Sequence, residues 1–121
     1  MLADNFYHTM SCTQEGNGAK ATLKLNRQSP IFSGHFPEMP IVPGVCSVQM
    51  IQELVEKVMK KRLMLISADN LKFLGVINPD ETPEIDIDVT FTCDDHGEIA
   101  ATATIASKGT ILLKFKGKFK C

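Results

Sequence analysis

Two hydrophobic periods run through this chain, and the points where one gives way to the other mark out its elements. Ala19, Ala21, Leu23 and Leu25 alternate with Lys20, Thr22, Lys24 and Asn26, which predicts a half-buried strand over 19–26. A weaker strand candidate covers residues 6–13, and Gly16-Asn17-Gly18 between the two predicts a tight turn, with Asn-Gly as the hairpin signal. From Gly44 or Val45 to Lys61 the spacing becomes helical. Val48, Ile51, Val55 and Val58 share one face, Leu54 joins them, and Met50 and Met59 flank it. Glu53 with Lys57, and Glu56 with Lys60, stand four apart in the favourable order, while Lys60, Lys61 and Arg62 suit the negative end of the helix dipole.

Beyond Leu63 the pattern returns to strand and turn. Leu65 to Ile77 is largely apolar, broken at Ala68-Asp69-Asn70 and stopped by Asn78-Pro79-Asp80. Ile85, Ile87, Val89, Phe91 and Cys93 alternate with Asp86, Asp88, Thr90, Thr92 and Asp94, and Asp95-His96-Gly97 turns the chain. Ile99, Ala101, Ala103 and Ile105 then point inward. Lys108-Gly109 turns again, and Ile111, Leu113, Phe115, Gly117 and Phe119 oppose Lys114, Lys116, Lys118 and Lys120. Strand, helix and a run of strands with short connections predict an α+β protein in which an antiparallel sheet covers one helix. With 121 residues and neither repeat nor linker, a single domain over 1–121 is expected.

Composition narrows the function more by exclusion than by suggestion. A formal charge of -1 gives no electrostatic reason for binding nucleic acid or an anionic membrane. No apolar run reaches the length of a membrane span and the N-terminus lacks a signal peptide's pattern, so a cytoplasmic location is expected. Cys12, Cys46, Cys93 and Cys121 fall at wide spacings unlike a zinc site or disulfide framework, which predicts free, mostly buried thiols and no metal. Cys46 reads better as a small core residue than as a site group.

The chemistry is concentrated between Pro30 and Arg62. His35 lies in a stretch stiffened by Pro37, Pro40 and Pro43, which excludes regular helix from Phe36 to Pro43 and predicts an ordered extended loop. Gly44 follows at the first turn of the helix. Without a Cβ it lets a ligand approach free backbone N–H groups at the positive end of the dipole. A base near an anion-stabilising terminus suits proton removal beside a carbonyl whose oxygen becomes negative. His8 and His96 have no such surroundings and read as structural or exposed.

Gly34-His35-Phe36-Pro37 followed by Pro40-Ile41-Val42-Pro43-Gly44-Val45 closely resembles the signature of the beta-hydroxyacyl-[acyl carrier protein] dehydratases, the FabZ/FabA group of hotdog-fold proteins. Weaker likeness continues through Asn70-Leu71-Lys72-Phe73, Pro79-Asp80 and the closing strands. The resemblance implies a hotdog fold, five to six antiparallel strands wrapped around one long central helix. It also implies dehydration of a 3-hydroxyacyl thioester in fatty-acid or related acyl synthesis, with an acyl carrier protein or coenzyme A thioester as substrate and no cofactor. His35 would be the general base, Gly44 and Val45 would hold the enolate oxygen, and Phe36 and Pro43 would border the substrate. The resemblance further implies an obligate homodimer, open to larger assemblies, with His35 of one subunit facing position 49 of its neighbour.

One position departs from the family. Its members carry Glu or Asp fourteen residues after the histidine, where this chain has Gln49, and a Gln commonly follows four further on, where this chain has Glu53. An amide can hold a water or hydroxyl but cannot protonate hydroxide. Glu53 is therefore a candidate acid acting through Gln49 or a water, against the alternative that it pairs with Lys57 on a solvated face. An acyl-binding or carrier-binding subunit without turnover, and a thioesterase on the same fold, are the competing functions. The Lys114 to Lys120 face reads as a solvated strand face ahead of a carrier-protein docking surface.

Overall fold

The computed structural model describes residues 2–34 and 40–121. Its elements in chain order are β1 (Tyr7–Glu15), β2 (Gly18–Leu25), α1 (Pro30–Gly34), α2 (Gly44–Met59), β3 (Met64–Phe73), β4 (Glu84–Cys93), β5 (Glu98–Ser107) and β6 (Thr110–Lys120). The six strands make one antiparallel sheet in the order β1-β2-β4-β5-β6-β3. This is the expected hotdog arrangement, with β1 and β3 at the two edges.

The sheet buries the face that alternation selects. Ala19, Ala21, Leu23, Ile85, Ile87, Val89, Ile99, Ile105, Leu113, Phe115 and Phe119 are all buried in one core with Val48, Met50, Ile51, Leu54 and Val55 of α2. Complete burial of a side chain such as Ile51 contributes about 1.5–3 kcal/mol, which is why packing and not propensity holds a helix of 16 residues here. Val58 and Met59, in the last turn, are only partly buried against this core. The helix also ends earlier than Lys61: Lys60 adopts a left-handed conformation (φ 57°) and its N–H bonds back to the Glu56 carbonyl.

Four local expectations need correction. The β1–β2 loop is Gly16-Asn17, closed by the Glu15–Gly18 pair, so the positive φ falls on Gly16 and not within Asn-Gly. β3 runs unbroken through Ala68-Asp69-Asn70, since bulges between Leu65 and Ser67 and between Ala68 and Asn70 absorb the interruption. In β6, Ile105 pairs with Leu113 and Ala106 with Ile111, so an irregularity at Leu112 turns Ile111 out to solvent. Cys93, at the strand end, is exposed, as is Cys121. Cys12 and Cys46 are half-buried, so the thiols are free but not mostly buried.

The remaining turns follow their sequences. Lys108 and Gly109 both take positive φ, as a two-residue hairpin of this kind requires. The Asp94 carboxylate accepts from the N–H groups of His96 (2.8 Å) and Glu98 (2.9 Å), bonds that hold its pKa below the usual carboxylate range. His8 and His96 are both exposed.

α1 was not anticipated. Its signal was present: Ser29 precedes Pro30, and the Ser29 Oγ accepts from the Ile31 N–H at 3.4 Å, a helix start with Pro in the first position. The short helix carries Phe32 onto Phe6, both fully buried, with ring centroids 4.9 Å apart. It thereby fixes the chain immediately before His35. His35 and Phe36, and with them the first half of the expected extended loop, lie outside the described residues. Of its remainder, Val42 is tied to the Ile77 carbonyl at 2.8 Å.

Candidate active site

The start of α2 is uncapped. Pro43 is extended (φ -61°, ψ 146°), has no side-chain hydrogen bond to offer, and its carbonyl takes the Cys46 and Ser47 N–H groups at 3.0 and 3.1 Å. The Gly44 and Val45 N–H groups have no partner among the described residues. They stand at the positive end of the helix dipole and are free to bond an anion. Gly44 and Pro43 line a cleft of about 490 Å³ with Val42, Ser47, Phe73 and Val76, while Val45 stands exposed at the tip. A Cβ on Gly44 would lie 2.8 Å from the Phe73 ring, so glycine is what lets this ring and the helix terminus share the space.

The second feature is a polar stripe along α2. Gln49, Gln52, Glu53 and Glu56 recur at the i, i+3, i+4, i+7 spacing of one helical face. Two of them bind the chain after the helix: Gln52 Nε2 donates to the Leu63 carbonyl at 2.9 Å, and Glu56 accepts the Leu63 N–H at 2.7 Å. The predicted ion pairs of Glu53 with Lys57 and Glu56 with Lys60 are absent among the described residues, because both carboxylates are turned to backbone donors that burial makes more demanding than a solvated lysine.

Glu53 is not on a solvated face at all. It is 4% exposed, and its carboxylate accepts four hydrogen bonds. Oε2 takes the Leu2 N–H (2.8 Å) and Gln49 Nε2 (2.9 Å), and Oε1 takes the Ala3 N–H (3.0 Å) and the Tyr7 hydroxyl (2.8 Å). Three of these partners can only donate and they occupy both oxygens, the pattern of a carboxylate without a proton. Tyr7 is held in its protonated form, its pKa raised by burial and further by the hydrogen bond and charge of Glu53. Tyr7 was missed in the sequence, where a tyrosine opening a weak strand gives no pattern to read.

Gln49 and Glu53 are thus brought together, and with Tyr7, Gln52, Glu56 and Lys57 they border a groove of about 1100 Å³. Gly44 lines the other cleft. Gln49 is five helical steps from Gly44, which puts them about 140° apart around α2 and about 7.5 Å along it. Cys46 touches the core, and burial raises its thiol's pKa, which fits a packing residue. No group of three or more metal-ligating side chains converges among the described residues, and no helix among them is long and apolar enough to cross a membrane.

Comparison with known proteins supplies a family. Residues 11–108 match the family described as ApeI-like, ApeI dehydratase. A 3-hydroxyacyl-[acyl-carrier-protein] dehydratase FabZ from Macrococcus caseolyticus is 26% identical over 102 residues, covering 78% of this chain and 70% of the relative. The FabZ of Bacillus velezensis is 29% identical over 84 residues, 64% of this chain but 60% of the relative. Among solved structures, the dehydratase heterocomplex ApeI:P from Xenorhabdus doucetiae superposes with a TM-score of 0.70 at 17% identity, covering 95% of this chain and 98% of that one. An (R)-hydratase from A. caviae gives 0.62 at 13% identity, covering 89% and 96%. At such identities the two structures establish the shared fold.

Proposed function

The chain belongs to the ApeI-like family of FabZ-type hotdog dehydratases, and we propose on that footing that it dehydrates 3-hydroxyacyl thioesters to trans-2-enoyl products. The Gly44 and Val45 N–H groups, without a partner among the described residues and at the mouth of an apolar cleft, support this reading most directly, since they suit a thioester oxygen that becomes negative. His35 takes the C2 proton and the electron pair passes to the thioester oxygen as an enolate. The enolate collapses to the C2–C3 double bond as the C3–O bond breaks. Gln49 holds the departing hydroxyl. The proton that makes it water returns from the His35 imidazolium, because the Glu53 carboxylate is already filled by donors.

The substrate chain would arrive on an acyl carrier protein or on coenzyme A, as the name of the FabZ relatives suggests for the former. A homodimer completes this reading. Gly44 and Gln49 line separate clefts of one copy, so the two halves of a site meet only when a second copy brings its helix across. Edge strand β3 offers Met64, Leu65, Ile66 and Phe73 as exposed apolar surface for that contact.

Gln49 favours a second reading, in which this chain is a subunit without turnover of its own or one half of a mixed pair with an acid-bearing relative. The Xenorhabdus doucetiae protein is, by its description, a heterocomplex. Incubation with a 3-hydroxyacyl thioester separates the outcomes. Enoyl product supports dehydration, free thiol supports hydrolysis, and saturable binding with neither supports the subunit reading.

A further inference from the structure

We propose that Glu53 is a positioning residue: it locks the Gln49 amide so that the Gln49 carbonyl oxygen is presented to the groove as an acceptor for the 3-hydroxyl of the substrate. The identity of the ligand rests on the dehydratase reading above. The lock itself rests on hydrogen bonds within this chain.

An amide side chain has a donor end and an acceptor end, and a free glutamine presents either. Here the choice is made by the neighbour. An ionised carboxylate only accepts, so the Gln49 group facing Glu53 Oε2 at 2.9 Å is the nitrogen. The opposite end, Oε1, has no partner among the described residues. Glu53 cannot swing away to release the amide, because its other three bonds tie it to the backbone of Leu2 and Ala3 and to the buried Tyr7 hydroxyl. The carboxylate is therefore a fixed bracket, and the amide it grips has one polarity.

The consequence is a specificity. A hydroxyl on C3 donates to a fixed acceptor, whereas a saturated chain or an enoyl product leaves that acceptor unpaired. Sites built to bond a hydroxyl reject the analogue lacking it more sharply than apolar pockets reject an added group. Substrate would thus be held in preference to product, which favours release after the double bond forms.

Stable pantetheine amide analogues, with N–H in place of the thioester sulfur, provide the test: one bearing a 3-hydroxyacyl chain and one bearing the same chain without the hydroxyl. In the wild type the hydroxylated analogue should bind about tenfold more tightly, the worth of one good hydrogen bond. Gln49→Met and Glu53→Gln should each bring that preference to within about twofold without weakening the plain chain, whose affinity rises where the unpaired acceptor is removed. A purely structural Glu53 would instead weaken both analogues together, and a preference kept in Glu53→Gln overturns the positioning role. Equal affinities in the wild type overturn the hydroxyl assignment, and failure of both analogues to bind overturns the dehydratase reading beneath it. Should Glu53→Gln fail to fold, the unliganded wild type answers directly: one Gln49 side-chain amide proton should exchange slowly with solvent, and two rapidly exchanging protons would refute the lock.

Discussion

The Tyr7 hydroxyl donates to the Glu53 carboxylate at 2.8 Å, joining the first residue of the edge strand β1 to the middle of the central helix. Tyr7→Phe keeps the ring and removes one of four donors from a buried carboxylate. It should cost about 1–2 kcal/mol, lowering Tm by about 4–10 °C. The loss should depend on pH. In the fold the Tyr7 pKa is raised, so an unfolded chain gives up this proton from about pH 10 while the folded one keeps it. The stabilisation is complete below about pH 10 and declines as pH rises beyond it. Denaturation at about pH 8 and about pH 11 should show the wild type's advantage over Tyr7→Phe shrinking. Phenolate absorbance can follow the group directly, since the chain has one tyrosine.

Gly44→Ala tests the helix terminus. The clashing atom is the far end of the Phe73 ring, and Phe73 is 57% exposed, so the ring can rotate aside at little cost to stability. The cleft narrows nonetheless. Thermal unfolding should change by no more than about 0.5–1 kcal/mol while turnover of a 3-hydroxyacyl thioester falls by about tenfold or more, and Phe73→Ala in the same chain should recover part of it. Unaltered turnover would remove the Gly44 amide from the mechanism.

Gly117→Ala should behave in the opposite way. A Cβ there would meet the Ser67 carbonyl oxygen and the Phe115 ring, both at 2.5 Å, on a strand paired on both sides. A backbone atom in a ladder cannot step aside as an exposed ring can. We expect destabilisation of about 2–3 kcal/mol in urea unfolding, with thioester binding retained by the fraction that folds.

Ile66→Lys places a charge on the apolar edge of β3, where Ile66 is 44% exposed. Sedimentation should show a dimeric wild type and a monomeric variant, and turnover should fall with the dimer. A monomeric wild type with full activity would defeat the two-copy site.

The strands β4, β5 and β6 were legible because each alternates cleanly and each turn carries its own chemistry, as at Lys108-Gly109. The bulges at Ile66 and Asp69 were not, since a bulge is settled by the partner strand's register and leaves no local period. At the site, Gly44 was legible from its place after Pro43. Glu53 was not: spacing alone favoured a pair with Lys57, and only the fold reveals that Leu2, Ala3 and Tyr7 come to meet it. The i, i+3, i+4, i+7 run of Gln49, Gln52, Glu53 and Glu56 was a sign of a polar face, three of whose side chains bond backbone groups from elsewhere in the chain.

The two margins of the sheet differ in kind. β1 shows solvent Thr9, Ser11 and Thr13 with a single exposed Met10 at a kink, whereas β3 shows it Met64, Leu65 and Ile66 in succession. Two copies joined through their greasy margins would leave the more hydrophilic ones at the outer ends. Such an assembly is self-limiting: it satisfies the sticky side once, by symmetry, and its outer strands, bulged at Met10, make poor templates on which a fibre could lengthen.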